Sequence, residues 1–93
     1  RNQVLTVLPG PLDEDDMENH IRRSAAVAIM KVGRHIDKIR RVLDKLNLSD
    51  SAHYIEYATM TEQRVLPLAE VNGDGTPYFS MILVRQEESE VNI

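Results

Sequence analysis

The side chains able to carry chemistry are scattered along this sequence. His20, His35 and His53 share no metal-ligand spacing, so solvent-facing or helix-end positions are expected for them. Asp13 to Asp16 form an acidic run without the spacing of a calcium loop, and read as the start of a helix. Ser24, Ser49, Ser51, Ser80 and Ser89 have neither a nucleophile elbow nor an obvious base nearby, which argues against a hydrolase. Lys31 and Arg34 follow an apolar run and are of the type that meets ligand carboxylates, although loop bases are usually solvated. Met30, at the end of that run, reads alone as a core methionine. Thr59, three residues before Glu62, reads alone as a helix N-cap.

The elements that must position these residues are short. Val4 to Leu8 is β-rich and stops at Pro9-Gly10-Pro11. Asp13 can cap a helix over Glu14 to Arg23, with acids in its first turn and Arg22 and Arg23 in its last. Ala25 to Met30 is an uninterrupted apolar run, the pattern of a strand buried on both faces. Ile36, Ile39, Val42, Leu43 and Leu46 recur at helical spacing, with charged residues between them. Asn47 and Ser49-Asp50-Ser51 end that helix. Ala52 to Ala58 reads as a strand. A short helical turn after the Thr59–Glu62 capping box is expected to stop at Pro67, and Leu68 to Val71 is ambiguous. Asn72-Gly73-Asp74-Gly75 is turn chemistry, Tyr78 to Arg85 a last strand, and residues 86–93 a disordered acidic tail. Strands alternating with helices predict an α/β sandwich with a mostly parallel mixed sheet.

Composition narrows the function classes. The 93 residues make one small domain, 42% hydrophobic and 28% charged. A net charge of -4 provides no basic field for nucleic acid or a membrane surface. There is no cysteine, so disulfides and thiolate metal sites are excluded; this fits a cytoplasmic protein. Ala25 to Met30 is far too short to cross a bilayer, and no signal peptide is visible. The chain opens at Arg1, which suits a segment of a longer protein, proteolysis or removal of a tag. So short a chain has little room for a ligand pocket, so an active site is expected at an interface with another domain or a second copy.

Three stretches carry a family likeness. They are Ala28-Ile29-Met30-Lys31-Val32-Gly33-Arg34, Tyr54-Ile55-Glu56-Tyr57-Ala58-Thr59-Met60-Thr61-Glu62-Gln63-Arg64-Val65, and Pro77-Tyr78-Phe79-Ser80-Met81-Ile82-Leu83-Val84. In order and spacing the chain resembles the second, C-terminal domain of the tetrapyrrole methyltransferases, which are class III S-adenosylmethionine-dependent enzymes. Leu5-Thr6-Val7-Leu8-Pro9-Gly10 resembles the entry to that domain. Met30-Lys31-Val32-Gly33-Arg34, and Leu66-Pro67-Leu68-Ala69-Glu70 followed by Pro77-Tyr78-Phe79-Ser80, are similar to the precorrin-2 C(20) branch of cobalamin synthesis.

The resemblance implies an S-adenosylmethionine cofactor folded between two domains, with precorrin-2 as the tetrapyrrole substrate and a homodimer as the assembly. It carries cofactor contacts, mainly through backbone, onto Met30, Tyr57, Ala58 and Thr59, and also onto Leu68 and Ala69. It implies no metal and names no catalytic base. The chain departs from the family in one respect. Gly10, Gly33, Gly73 and Gly75 do not form the GxGxGD loop of the family's first domain, so the chain alone is expected to be inactive. The other readings are a small-molecule-binding or a dimerisation α/β module of another multidomain protein.

Overall fold

Pro9-Gly10-Pro11 divides the first strand from the first helix, and local chemistry sets most boundaries after it. The computed structural model describes residues 5–57, 63–71 and 80–86. Strand β1 covers Leu5–Pro9. Helix α1 covers Glu14–Arg22, and the Asp13 carboxylate accepts the Asp15 amide at 3.1 Å. Strand β2 is Ala26–Met30, and a 3-10 turn at Gly33–His35 leads into α2, Ile36–Lys45. Asn47, in the left-handed region at φ 61, ends α2. Its amide donates to the Asp44 carbonyl at 3.1 Å and the Leu48 amide to the Leu43 carbonyl at 2.8 Å, the paired bonds of a Schellman ending. A turn at Ser49–Ser51 precedes β3, Ala52–Tyr57. Strand β4 is Gln63–Pro67, a 3-10 turn covers Leu68–Glu70, and β5 is Ser80–Arg85.

Among the described residues, five strands form one mixed sheet in the order β1-β2-β5-β3-β4. The α/β class is as expected, but the pairing is not mostly parallel. Only β1 with β2 is parallel; β2 with β5, β5 with β3 and β3 with β4 are antiparallel. Strands β1, β2 and β3 do point the same way, because α1 and α2 are crossovers. Strand β5 then inserts between β2 and β3 and runs against both.

Two further expectations change. Gln63 to Pro67 is a strand rather than the end of a helical turn: it pairs with β3 from Tyr57↔Gln63 to His53↔Pro67. The cross-strand pair Glu56↔Arg64 adds an ion pair at 3.1 Å. The capping box at Thr59–Glu62, the turn at Asn72–Gly75, Tyr78, Phe79 and residues 87–93 lie outside the described residues. Gln86, expected in the tail, is anchored instead. Its amide donates to the Ala25 carbonyl at 2.9 Å, and its side chain donates to the carbonyls of Ile21 and Ser24 at 2.8 and 2.6 Å.

One face of the sheet meets the helices. Leu8, Ile29, Ile82 and Tyr54 form a row across it and are buried with Met17 and Ile21 of α1 and Ile36, Ile39, Val42 and Leu43 of α2. Leu46, expected on the buried face of α2, is only partly buried. Arg41 pairs with Glu14 and Lys45 with Glu18, each at 3.1 Å. That advance of four residues on both helices shows that they run the same way. The opposite face is open at its edge strands, where Leu5 is 55%, Val7 59% and Val65 53% exposed, while Ala28 and Ile55 at its centre are buried. Among the described residues, no helix is long and apolar enough to cross a membrane.

Glu18 holds the two helices together. It is buried, and it bonds Lys45 of α2 and Arg22 one turn along α1. Lys45 first, then Arg22, hold its carboxyl below the ordinary carboxylate range. A lowered folded-state pKa stabilises above the unfolded value, about 4.3 for glutamate, and that contribution is lost as pH falls through the folded value. Glu18→Gln is therefore expected to be less stable than wild type at pH 7, with the gap closing on acidification below about pH 4.3. Urea unfolding of both proteins at pH 7 and pH 3 measures this. A gap that stays constant across that range would show that the pairs contribute nothing through charge.

Candidate functional site

Because β1, β2 and β3 run the same way, their C-terminal ends share one edge of the sheet. The register sets Pro9 beside Met30, Met30 beside Met81, and Met81 beside Ile55. Tyr57 lies two residues beyond Ile55, at the same edge. Carboxyl ends of strands are where open α/β sheets place ligands. Met30 is 39% exposed, so it is not the core methionine that its run suggests.

Of the residues singled out for cofactor contact, Met30 and Tyr57 therefore share this edge. Ala58 and Thr59 follow Tyr57 in the chain and lie outside the described residues. Leu68 and Ala69 do not join them. Pro67 pairs with His53, so the turn that begins at Leu68 sits at the start of β3, the opposite end of the sheet. Leu68 is 2% exposed in the core, and its carbonyl accepts the Arg40 guanidinium at 3.1 Å. The cause is the reversal made by β4. A helical turn over Gln63 to Pro67 would not have carried the chain back down the sheet.

The edge is built from backbone in close contact. The Gly10 amide donates to the Met30 carbonyl at 2.7 Å. A Cβ on Gly10 would lie 2.4 Å from the Lys31 carbonyl oxygen and 3.0 Å from the Met30 oxygen, both backbone atoms that cannot swing aside. Only glycine fits there. Lys31 turns the chain out of β2 with φ 56, a left-handed conformation that costs a side-chain-bearing residue on the order of 1 kcal/mol. The Val32 amide donates to the Ser80 carbonyl at 3.4 Å and the His35 amide to the Val32 carbonyl at 2.7 Å. Lys38 of α2 donates to the carbonyls of Gly10 and Leu12, both at 2.6 Å. The β1–α1 turn, the loop after β2 and the start of β5 are thus tied into one surface.

The titratable groups nearby follow their surroundings. Burial holds the Lys38 ammonium below its ordinary value, against the opposing charges of Glu14 and Asp13. Burial, then the charges of Lys38 and Arg34, hold the His35 imidazole low. On the far side of the edge, the Tyr54 hydroxyl donates to Glu56, which also accepts from Arg64, each at 3.1 Å. Lys31 and Arg34 are exposed on the loop that leaves the edge. Among the described residues, no group of three or more histidines and acids is placed to hold a metal ion.

This surface presents tightly paired backbone, one exposed thioether and a fringe of bases. A surface of this kind suits holding and orienting a ligand rather than making or breaking bonds. The packing of Gly10 and the carbonyl contacts of Lys38 are not foreseen from the sequence. The signal for the first is a glycine between two prolines at a strand end; Lys38 carries none, since it sits among other charged residues of α2.

No family model matches the chain. Over 83 residues, 89% of its length, the chain is 42% identical to a precorrin-2 C(20)-methyltransferase from a Sinorhizobium species. Over 83 residues it is 36% identical to the cobalamin biosynthesis protein CobIJ of Mycobacterium bovis and of Mycobacterium tuberculosis. The chain spans 34% of the length of the first relative and 16% of the other two. The resemblance carried by the three sequence stretches agrees with these relatives.

Proposed function

We propose that this chain, a homologue of part of a precorrin-2 C(20)-methyltransferase, is the second, C-terminal domain of an S-adenosylmethionine-dependent enzyme that methylates precorrin-2 at C(20) in cobalamin synthesis. The observation that carries this reading is the shared edge. Three codirectional strand ends bring Met30 and Tyr57 together, at the place where an α/β sheet binds ligands.

S-adenosylmethionine, when bound, would supply a methyl group on a sulfonium; the meso carbon of the substrate would displace a neutral thioether and then release its own proton to water. That leaving group needs little help, so the protein's task is to align donor and acceptor; orientation of this kind supplies roughly 7–11 kcal/mol of a barrier in favourable cases. In this reading the backbone of Met30, Tyr57, Ala58 and Thr59 forms one wall of the cofactor site. Backbone amides and carbonyls suit adenine because they are rigidly placed donors and acceptors. Leu68 and Ala69 are left out of the wall, because the register separates them from it.

The other wall and most of the substrate site fall to a first domain with the family's Gly-rich loop, so the chain alone is inactive. A homodimer in the cytoplasm completes the proposal. The exposed Leu5, Val7, Val65 and Leu83 are apolar surface of the kind that such partners cover.

Hydrogen exchange of the longer protein, with and without S-adenosylhomocysteine, tests the site. Slowed exchange is expected at Gly10, Leu12, residues 30–33 and 55–57, and none at 68–71. Protection at 68–71 without protection of the edge would contradict the assignment.

A further inference from the structure

α2 carries two clamps of the same kind. Lys38 donates to the Gly10 and Leu12 carbonyls, both at 2.6 Å. Two residues on, and so on nearly the opposite side of the helix, the Arg40 guanidinium donates to the carbonyls of Leu68 and Val71. In each case a half-buried cation bonds main-chain oxygens across a connection. The first clamp holds the edge that carries Met30, and the second holds the turn at the other end of the sheet.

Lys38 is the informative one. A desolvated ammonium costs free energy unless its donors are used, and here it spends two of its three on carbonyls of one tight turn. That turn has no slack toward the sheet, because Gly10 already rests against the carbonyl oxygen of Lys31. Any shift of Gly10 therefore passes to Met30 and Lys31. Lys31 is itself in a left-handed conformation that its surroundings must hold.

Building on the cofactor site proposed above, we propose that Lys38 is a positioning residue: by fixing the Gly10 turn against Met30 and Lys31 it sets the affinity for S-adenosylmethionine without touching it. Arg40, with the same chemistry at the far end, does not. The pair gives a control built into one helix. Loss of either clamp loosens the fold, but only loss of Lys38 displaces the edge.

The test is calorimetric titration of the longer protein with S-adenosylhomocysteine, on wild type, Lys38→Met and Arg40→Met, at a temperature where circular dichroism shows all three folded. Lys38→Met is expected to bind about tenfold more weakly, since small misplacements at a site cost this much or more. Arg40→Met should stay within about twofold of wild type, even where its melting temperature falls as far. In turnover, the KM for S-adenosylmethionine should rise in Lys38→Met while kcat at saturation changes less. Lys38→Arg, which keeps the charge and donors, should restore part of the affinity. Unchanged binding by Lys38→Met, or equal weakening in both variants, overturns the inference while leaving the cofactor site in place. Failure of wild type to bind overturns the site and the inference together. If Lys38→Met does not fold, Lys38→Gln replaces it, and wild-type affinity in that variant also overturns the inference.

Discussion

Replacing Tyr54 with alanine is expected to lower the stability of the protein by about 3–5 kcal/mol, the range for emptying a buried aromatic site. Tyr54 is 1% exposed and lies in the row that runs from Leu8 through Ile29 and Ile82. β3 has a neighbour on each side, so the cavity would open between a fixed part of the sheet and the helices, where collapse is difficult. A small domain has a stability of about 5–15 kcal/mol, so this single change removes a large share. Burial raises the phenol above its ordinary pKa, and the hydroxyl donates to Glu56. Tyr54→Phe separates ring from hydroxyl. Glu56 keeps Arg64, but the buried Ser80 also bonds the hydroxyl, so that variant should lose about 1–3 kcal/mol, less than alanine. Urea unfolding of the three proteins measures both quantities. A loss below about 1 kcal/mol for alanine would place Tyr54 outside the core.

Leu43→Ala is expected to cost about 2–5 kcal/mol for a similar reason. Leu43 is 0% exposed, as is Ile39 one turn before it. Leu46 is only partly buried, so Leu46→Ala should cost clearly less. The comparison reads the phase of α2 directly. A change within about half a kcal/mol at Leu43 is the size typical of a surface position, and would mean that the helix presents another face to the sheet.

What was legible in the sequence were features with a local cause. Asp13 caps α1 because an acid before a helix accepts a free amide, and the charges at both ends favour the same boundaries. The period of Ile36, Ile39, Val42 and Leu43 gives the buried face of α2, because only one stripe of a helix can face a sheet. Of the candidate site, Met30 was legible as a strand-end residue.

What stayed hidden depends on contacts far apart in the chain. Nothing in Ser80 to Arg85 says that it inserts between β2 and β3, since pairing order depends on which edges are left open. Gln63 to Pro67 follows a capping-box pattern, but β3 supplies a ladder that no local signal reports. Leu68 and Ala69 lie at the other end of the sheet from Met30 for the same reason. Lys38 looks like any solvated helix lysine until its two carbonyl partners, 26 and 28 residues away, come into view.

Methyl transfer to precorrin-2 by the longer protein proposed above is the central claim. Its most direct test is incubation of that longer protein with precorrin-2 and S-adenosylmethionine carrying a 13C methyl group, followed by carbon NMR of the tetrapyrrole. One labelled methyl at C(20), and none when the 93-residue chain is used alone, is the result predicted. A label at another ring position, no label with the longer protein, or turnover by the 93-residue chain would contradict it.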